Sequence, residues 1–179
     1  MPVTTIYEQY TAEDGDDGLN ATDWKSQTFQ PLVTHVLYSI KFKGVRSVGA
    51  PGLMRASVKP TTAGVPSGAD MCVFDFNANT LPTTPPTVTE IVMPTNPILF
   101  VGVRYAIVYR LVTPVGGNGV SFRLKGTAPA YPRGERFFKA HEADAWTASG
   151  LDFWFQELGY LPGQVKSNTR FKMVTGAFL

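Results

Sequence analysis

A chain of 179 residues has room for one domain with a substantial core. Only 17% of its residues are charged, and 16 basic against 14 acidic side chains leave a formal net charge of +2. The basic residues are scattered (Lys25, Arg46, Arg55, Arg104, Arg123, Lys139), which excludes the clustered positive stripe of a nucleic-acid-binding surface.

The elements are taken in chain order. Residues 1–25 read as an N-terminal arm or edge strand, acidic around Glu13-Asp14-Gly15-Asp16-Asp17. Their opening run, MPVTTIYEQYTAEDGDDG, has no basic region followed by an apolar one, so it does not read as a secretory signal. No later stretch approaches the roughly 20 apolar residues that span a bilayer, and no membrane partner is expected. The expectation is a protein made in a cytoplasm that stays there or leaves by lysis or a dedicated route. VLYSIKFK (36–43) is a strand with Val36, Tyr38, Ile40 and Phe42 on one face. LMRASVK (53–59) turns Met54, Ala56 and Val58 inward and Arg55, Ser57 and Lys59 outward. In MCVFDF (71–76), Cys72 shares a face with Phe74 and Phe76 and reads as a small buried hydrophobe rather than a reactive thiol. As the only cysteine, it allows no intrachain disulfide.

TVTEIVM (87–93) follows, and then VRYAIVYRLV (103–112), apolar on both faces as a central, doubly covered strand would be. VSFRLKG (120–126) alternates Val120, Phe122 and Leu124 against Ser121, Arg123 and Lys125. Gly134–Ala145 could hold a short helical turn. GLDFWFQELGY (150–160) closes the series, with Phe153 and Phe155 on one face and Asp152, Trp154 and Gln156 on the other. Residues 161–179 form a basic C-terminal arm ending in apolar residues. Glycine- and proline-rich turns at 49–52, 64–68 and 116–119 separate the strands. Short strands at this spacing predict an all-β, antiparallel two-sheet β-sandwich spanning 26–160.

The order of landmarks adds to this reading. Gln27-Thr28-Phe29 with Pro31, Pro51-Gly52, the Gly64–Gly68 turn and Tyr105-Ala106-Ile107-Val108 come first. Tyr131 with Gly134, Trp146 and Asp152-Phe153-Trp154-Phe155 follow. This succession resembles the choice-of-anchor β-sandwich domains of prokaryotic surface proteins and viral structural proteins. The resemblance implies a jelly roll like that of carbohydrate-binding modules. In two respects the chain departs from that pattern: ERFFKAHEADAW stands where small polar residues are usual, and the signal peptide and anchor that members often carry are not seen.

Little here reads as catalysis. His35 is expected at an exposed or edge position, and His141 lies in the charged KAHEAD segment. The two have no metal-ligand spacing, and neither a G-x-S-x-G elbow nor a P-loop occurs. The chain is therefore expected not to be an enzyme. Asp14, Asp16 and Asp17 are weak candidates for a structural calcium, against the simpler reading of a solvated acidic loop; no other cofactor or metal is expected. Trp24, Tyr131 and Trp154 are candidates for a glycan or contact face, with Trp146 nearby in type, against the simpler reading that they pack in the core.

Two functions compete. One is a non-enzymatic virion structural protein, such as a phage capsid decoration or tail accessory protein. It would act by multivalent contacts with other copies of itself and other virion proteins. In it the C-terminal arm, through Arg170, Phe171, Met173, Val174, Phe178 and Leu179, would bind a neighbour. The alternative is a carbohydrate-binding module or adhesin that takes surface glycans.

Overall fold

The computed structural model describes residues 3–47, 49–113 and 119–164. Along them run β1 (Thr5–Tyr10), β2 (Gly15–Leu19), β3 (Trp24–Phe29), β4 (His35–Arg46) and β5 (Leu53–Thr62). Then come β6 (Val65–Pro66), β7 (Cys72–Asn77), β8 (Thr87–Val92), β9 (Ile98–Leu99) and β10 (Tyr105–Leu111). β11 (Val120–Lys125), β12 (Arg136–Lys139), β13 (Thr147–Ala148), β14 (Asp152–Phe153) and β15 (Phe155–Tyr160) complete the order. The chain is an all-β, two-sheet sandwich. One sheet runs β1-β15-β4-β11-β14, with β2 on β11 and β8 and β9 on β4. The other runs β13-β12-β3-β10-β5-β6, with β7 on β5. Every pairing between described strands is antiparallel.

Alternation builds the core where the strands are regular. Met54, Ala56 and Val58 of β5, Tyr105, Ile107, Tyr109 and Leu111 of β10, and Val120, Phe122 and Leu124 of β11 all enter it. Ala106 and Val108, on the opposite face of β10, are also buried, as expected of a strand held between β3 and β5. Aromatic rings knit the two sheets together. Phe122 lies 5.3 Å from Phe42, 4.7 Å from Tyr109 and 5.5 Å from Phe153 between ring centroids, within the range of favourable aromatic pairs. Cys72 lies in this core, where burial pushes its thiol up to about 11.

The structure corrects three expectations. First, Val36 and Tyr38 do not share a face with Ile40 and Phe42. On β15, Leu158 pairs with Ser39 but Gly159 pairs with Leu37, so Tyr38 is an extra residue that reverses the alternation. Leu37 takes the core position instead. Second, His35 is not exposed or at an edge. It follows Leu37 onto the inner face and is 0% exposed. Third, residues 136–139 of the expected helical turn form β12, which pairs with β3 through Phe137↔Ser26 and Phe138↔Lys25. The segment expected as an N-terminal arm or edge strand pairs with the sandwich through its described residues. β1 is an edge strand on β15, β2 pairs with β11 and Leu19 is fully buried.

Two glycines permit close backbone approach. A Cβ at Gly134 would overlap the Thr28 carbonyl, and one at Gly159 would overlap the Val36 carbonyl oxygen and touch the His35 ring. Backbone cannot yield as a flexible side chain can. Gly134→Ala and Gly159→Ala are each expected to lower stability by about 1–3 kcal/mol, read as a shift in urea midpoint. A control at Gly150, whose Cβ would meet nothing within 4 Å, combines open space with a positive φ of 61° and so isolates the purely conformational cost.

Candidate functional site

The expected aromatic face does not assemble. Trp154 is 8% exposed: it sits where the closing strand passes from β11 to β4, and its N–H donates to the Arg123 carbonyl (2.9 Å). Tyr131 is 6% exposed, and its hydroxyl donates to Glu8 (2.9 Å). Neither can offer a ring to a sugar. Trp24 alone of the three is partly exposed, and Trp146 packs against it edge to face at 6.4 Å. Asp152 is buried and accepts from Gln27 (3.1 Å) and from the Tyr131 N–H (3.1 Å), tying the two sheets together.

The three aspartates also diverge. Asp14 accepts from Lys125 (2.7 Å) and from the N–H groups of Gly126 and Thr127, which hold its carboxyl far below the usual range. Asp16 faces Arg123 across the sheet, and Asp17 turns toward Lys25 and Arg136. Each carboxylate has its own cation, and among the described residues no three His, Cys, Asp or Glu side chains converge on a point. The arm residues Arg170, Phe171, Met173, Val174, Phe178 and Leu179 lie outside the described residues.

What stands out on the surface is an apolar tip. Leu32 (62% exposed) and Val33 precede β4; Ile98, Phe100 (56%), Val101 (55%) and Val103 flank β9. The two loops are one unit. Gly102 N–H donates to the Pro31 carbonyl, Val101 N–H to Thr34 Oγ1 and Gln30 Nε2 to the Gly102 carbonyl. The Tyr105 hydroxyl, anchored in the core, accepts from Phe100 N–H (2.9 Å) and fixes the turn from beneath. Six exposed apolar side chains are concentrated on these two joined loops, unlike the single exposed apolar residues that any surface carries. Sequence reading missed it. The signal was the run Pro97-Ile98-Leu99-Phe100-Val101, apolar throughout yet bounded by Pro97 and Gly102, too short for a strand that buries both faces.

Directly beneath the tip lies a buried polar cluster. His35 Nδ1 is 2.8 Å from the Val33 carbonyl, which can only accept, so Nδ1 carries a hydrogen. His35 Nε2 is 2.8 Å from Glu157 Oε1, and both side chains are 0% exposed. That contact holds one proton, on the imidazole or on the carboxyl. The Tyr7 ring stacks on His35 at 3.9 Å and 1°. Glu8 stands opposite Glu157 in register, with Tyr131 and Arg133 on its Oε2. Glu8 Oε1 and Glu157 Oε2 are buried without a partner among the described residues. Burial pushes the Glu157 carboxyl up, against the hydrogen bond from His35. For His35, burial works downward, but the hydrogen bond and charge of Glu157, with the Val33 carbonyl, outweigh it and hold the ring above its ordinary value. Complete burial puts this pair out of a substrate's reach; its role is to support the loop above.

In comparison with known proteins, no family model matches the chain and no curated protein matches it.

The cluster makes stability depend on pH with a fixed sign. Both pKa values are raised on folding, so the folded state keeps a proton that the unfolded chain releases. The His35 contribution is full below its unfolded value of 6.5 and is lost as pH rises through the higher folded value. Urea midpoints measured from about pH 6 to about pH 9 should fall for the wild type and fall less for a His35→Gln/Glu157→Gln double variant; parallel profiles would refute the assignment. His35→Ala alone, which strands a buried carboxylate, is expected to cost about 3–5 kcal/mol, and Glu157→Gln less.

Proposed function

We propose that this chain is a non-enzymatic structural protein of a virion, a phage capsid decoration or tail accessory protein, acting through multivalent contacts between copies. The observation that carries the contact mode is the apolar tip. Six exposed side chains on a fixed pair of loops offer a ready docking face whose loops need not reorganise on binding. The virion setting rests on the resemblance to a domain family that occurs in viral structural proteins.

The occupant we assign to the tip is the 165–179 segment of a neighbouring copy. The described chain leaves the sandwich at this end: Tyr160 pairs with Val36, beside the Val36↔Ile98 pair, and Leu161 is exposed there. Fifteen residues extended to roughly 3.3 Å each reach about 50 Å, enough to cross to an adjacent subunit. The segment contains Phe171, Met173, Val174, Phe178 and Leu179 as apolar anchors and Lys166, Arg170 and Lys172 as cations. Each apolar side chain fully buried on docking contributes about 1.5–3 kcal/mol before the cost of ordering the segment.

The test compares a Phe100→Ser/Val101→Ser variant with a chain truncated after Gln164. Light scattering should show that each loses self-association, or incorporation into particles. The melting temperature of the tip variant should stay within a few degrees of the wild type, because Phe100 and Val101 are exposed. Normal assembly by both variants would sink the proposal. Loss with truncation but not with the tip variant would keep the arm and reject the tip as its receptor.

A further inference from the structure

The outer face of the second sheet carries an in-register row that the assembly reading does not use. Lys139 of β12 pairs with Trp24 of β3, Trp24 with Arg110 of β10, Arg110 with Arg55 of β5, and Arg55 with Asp75 of β7. Register places all five side chains on one face, in neighbouring strands about 4.8 Å apart. The row holds three cations and one carboxylate. Asp75 is taken by Arg55 in a two-pronged contact of 2.7 and 2.8 Å. The Arg110 guanidinium lies 4.9 Å from the centre of the Trp24 ring, and no carboxylate among the described residues is within ion-pair distance of it. The Lys139 ammonium lies 4.4 Å from Trp24 and 5.2 Å from Trp146 and donates to the Glu142 carbonyl. Partial burial there lowers its pKa.

Beside this row opens a groove of about 280 Å³, with Thr22, Trp24, Arg110, Leu111, His141 and Glu142 in its lining. Its chemistry is mixed in a specific way. Arg110 presents a planar fork suited to a carboxylate. Thr22, His141 and the Glu142 carboxylate supply donors and acceptors for hydroxyl groups. The edge of Trp24 supplies apolar surface. Both flanks of Trp24 face a cation, Arg110 from one neighbouring strand and Lys139 from the other. The indole is thus engaged in holding the two cations in place. A simple anion would gain nothing from the hydroxyl-binding groups.

We propose that this groove binds an acidic saccharide: the sugar carboxylate is held by Arg110, and the ring hydroxyls by Glu142, His141 and Thr22. The ligand class follows from the pairing of a guanidinium without a carboxylate partner with a rim of hydroxyl-binding side chains on one open groove. The site is independent of the apolar tip, and either can fail alone.

The experiment is titration calorimetry on the full chain with two matched probe pairs: sialyllactose against lactose, and digalacturonate against digalactose. Inorganic sulfate serves as an anion control. The expected result is saturable binding of at least one acidic probe, weaker by about tenfold or more for its neutral partner and in Arg110→Gln, as loss of a charge-assisted two-pronged contact implies. Arg110→Gln should melt with the wild type, because its side chain lies at the surface. Trp24→Phe reports the scaffold: binding should weaken while folding persists. Three results would overturn the assignment: equal binding of neutral and acidic partners, undiminished binding by Arg110→Gln, or no binding of either acidic probe. Competition by sulfate at the same concentration as the saccharide would reduce the site to a bare anion contact and overturn it as well.

Discussion

A carboxylate in the interior of a β-sandwich must be neutralised, and one end of this molecule is organised around that requirement. The parity of the closing strand sends Phe155, Glu157 and Gly159 inward together. Phe155 belongs to the aromatic core, but Glu157 cannot be tolerated there as a lone charge, because its desolvation would cost several kcal/mol. His35 therefore has to reach it. The extra residue Tyr38 on β4 makes that geometry available by turning Leu37 and His35 inward in place of Val36 and Tyr38. A matching extra residue, Tyr7 on β1, brings Glu8 opposite Glu157 and lays the Tyr7 ring flat against His35. The two irregularities lie on either side of Leu158, Tyr38 opposite its step to Gly159 and Tyr7 opposite its step from Glu157. Gly159 is glycine because the Val36 backbone and the His35 ring already fill the space its Cβ would need.

The consequence for the surface is direct. His35 is hydrogen-bonded upward to the Val33 carbonyl, in the loop that carries Leu32 and Val33. Tyr105, from the opposite sheet, holds the Phe100 turn in the same manner. Two buried groups thus fix the two apolar loops from below. Exposed apolar side chains on a mobile loop would collapse against the nearest surface. Held by the backbone, they keep a shape that a partner can match without first being ordered.

Much of the sandwich was legible in the sequence because alternation and burial coincide in β5, β10 and β11. It failed where one residue was inserted. Nothing in VLYSIKFK marks Tyr38 as a bulge, since Val36, Leu37 and Tyr38 are all apolar enough for either face. The misplacement of His35 followed from that single shift of parity. Tyr131 and Trp154 stayed open between core and contact face for a different reason. Their burial depends on what lies opposite in space (Glu8, some 120 residues away, for Tyr131) and on the strand break at Trp154, neither of which is a local property. The aspartates look like a metal cluster only in one dimension. On a strand, successive residues point to opposite faces, so Asp16 and Asp17 are separated by the sheet itself. Trp24 and Trp146 are 122 positions apart, and only the β12–β3 pairing brings them together.

The two surfaces lie at opposite ends of the same strands. Tyr105 begins β10 under the apolar tip, and Arg110 lies five residues on; at about 3.3 Å per residue the groove is roughly 17 Å from the tip along the sheet. β3 runs antiparallel to it, from Trp24 at the groove end to Phe29 before the Pro31 contact with the tip. A ligand at one end therefore does not obstruct a partner at the other, and the strands between them are stiff, with Tyr105, Ile107 and Tyr109 packed in the core. On the proposed reading, that arrangement suits a subunit docked through its tip with its groove turned away from a particle. In such an array each weak groove is repeated as often as the subunit, so a saccharide contact of modest individual affinity gains strength through avidity without any change in the site itself.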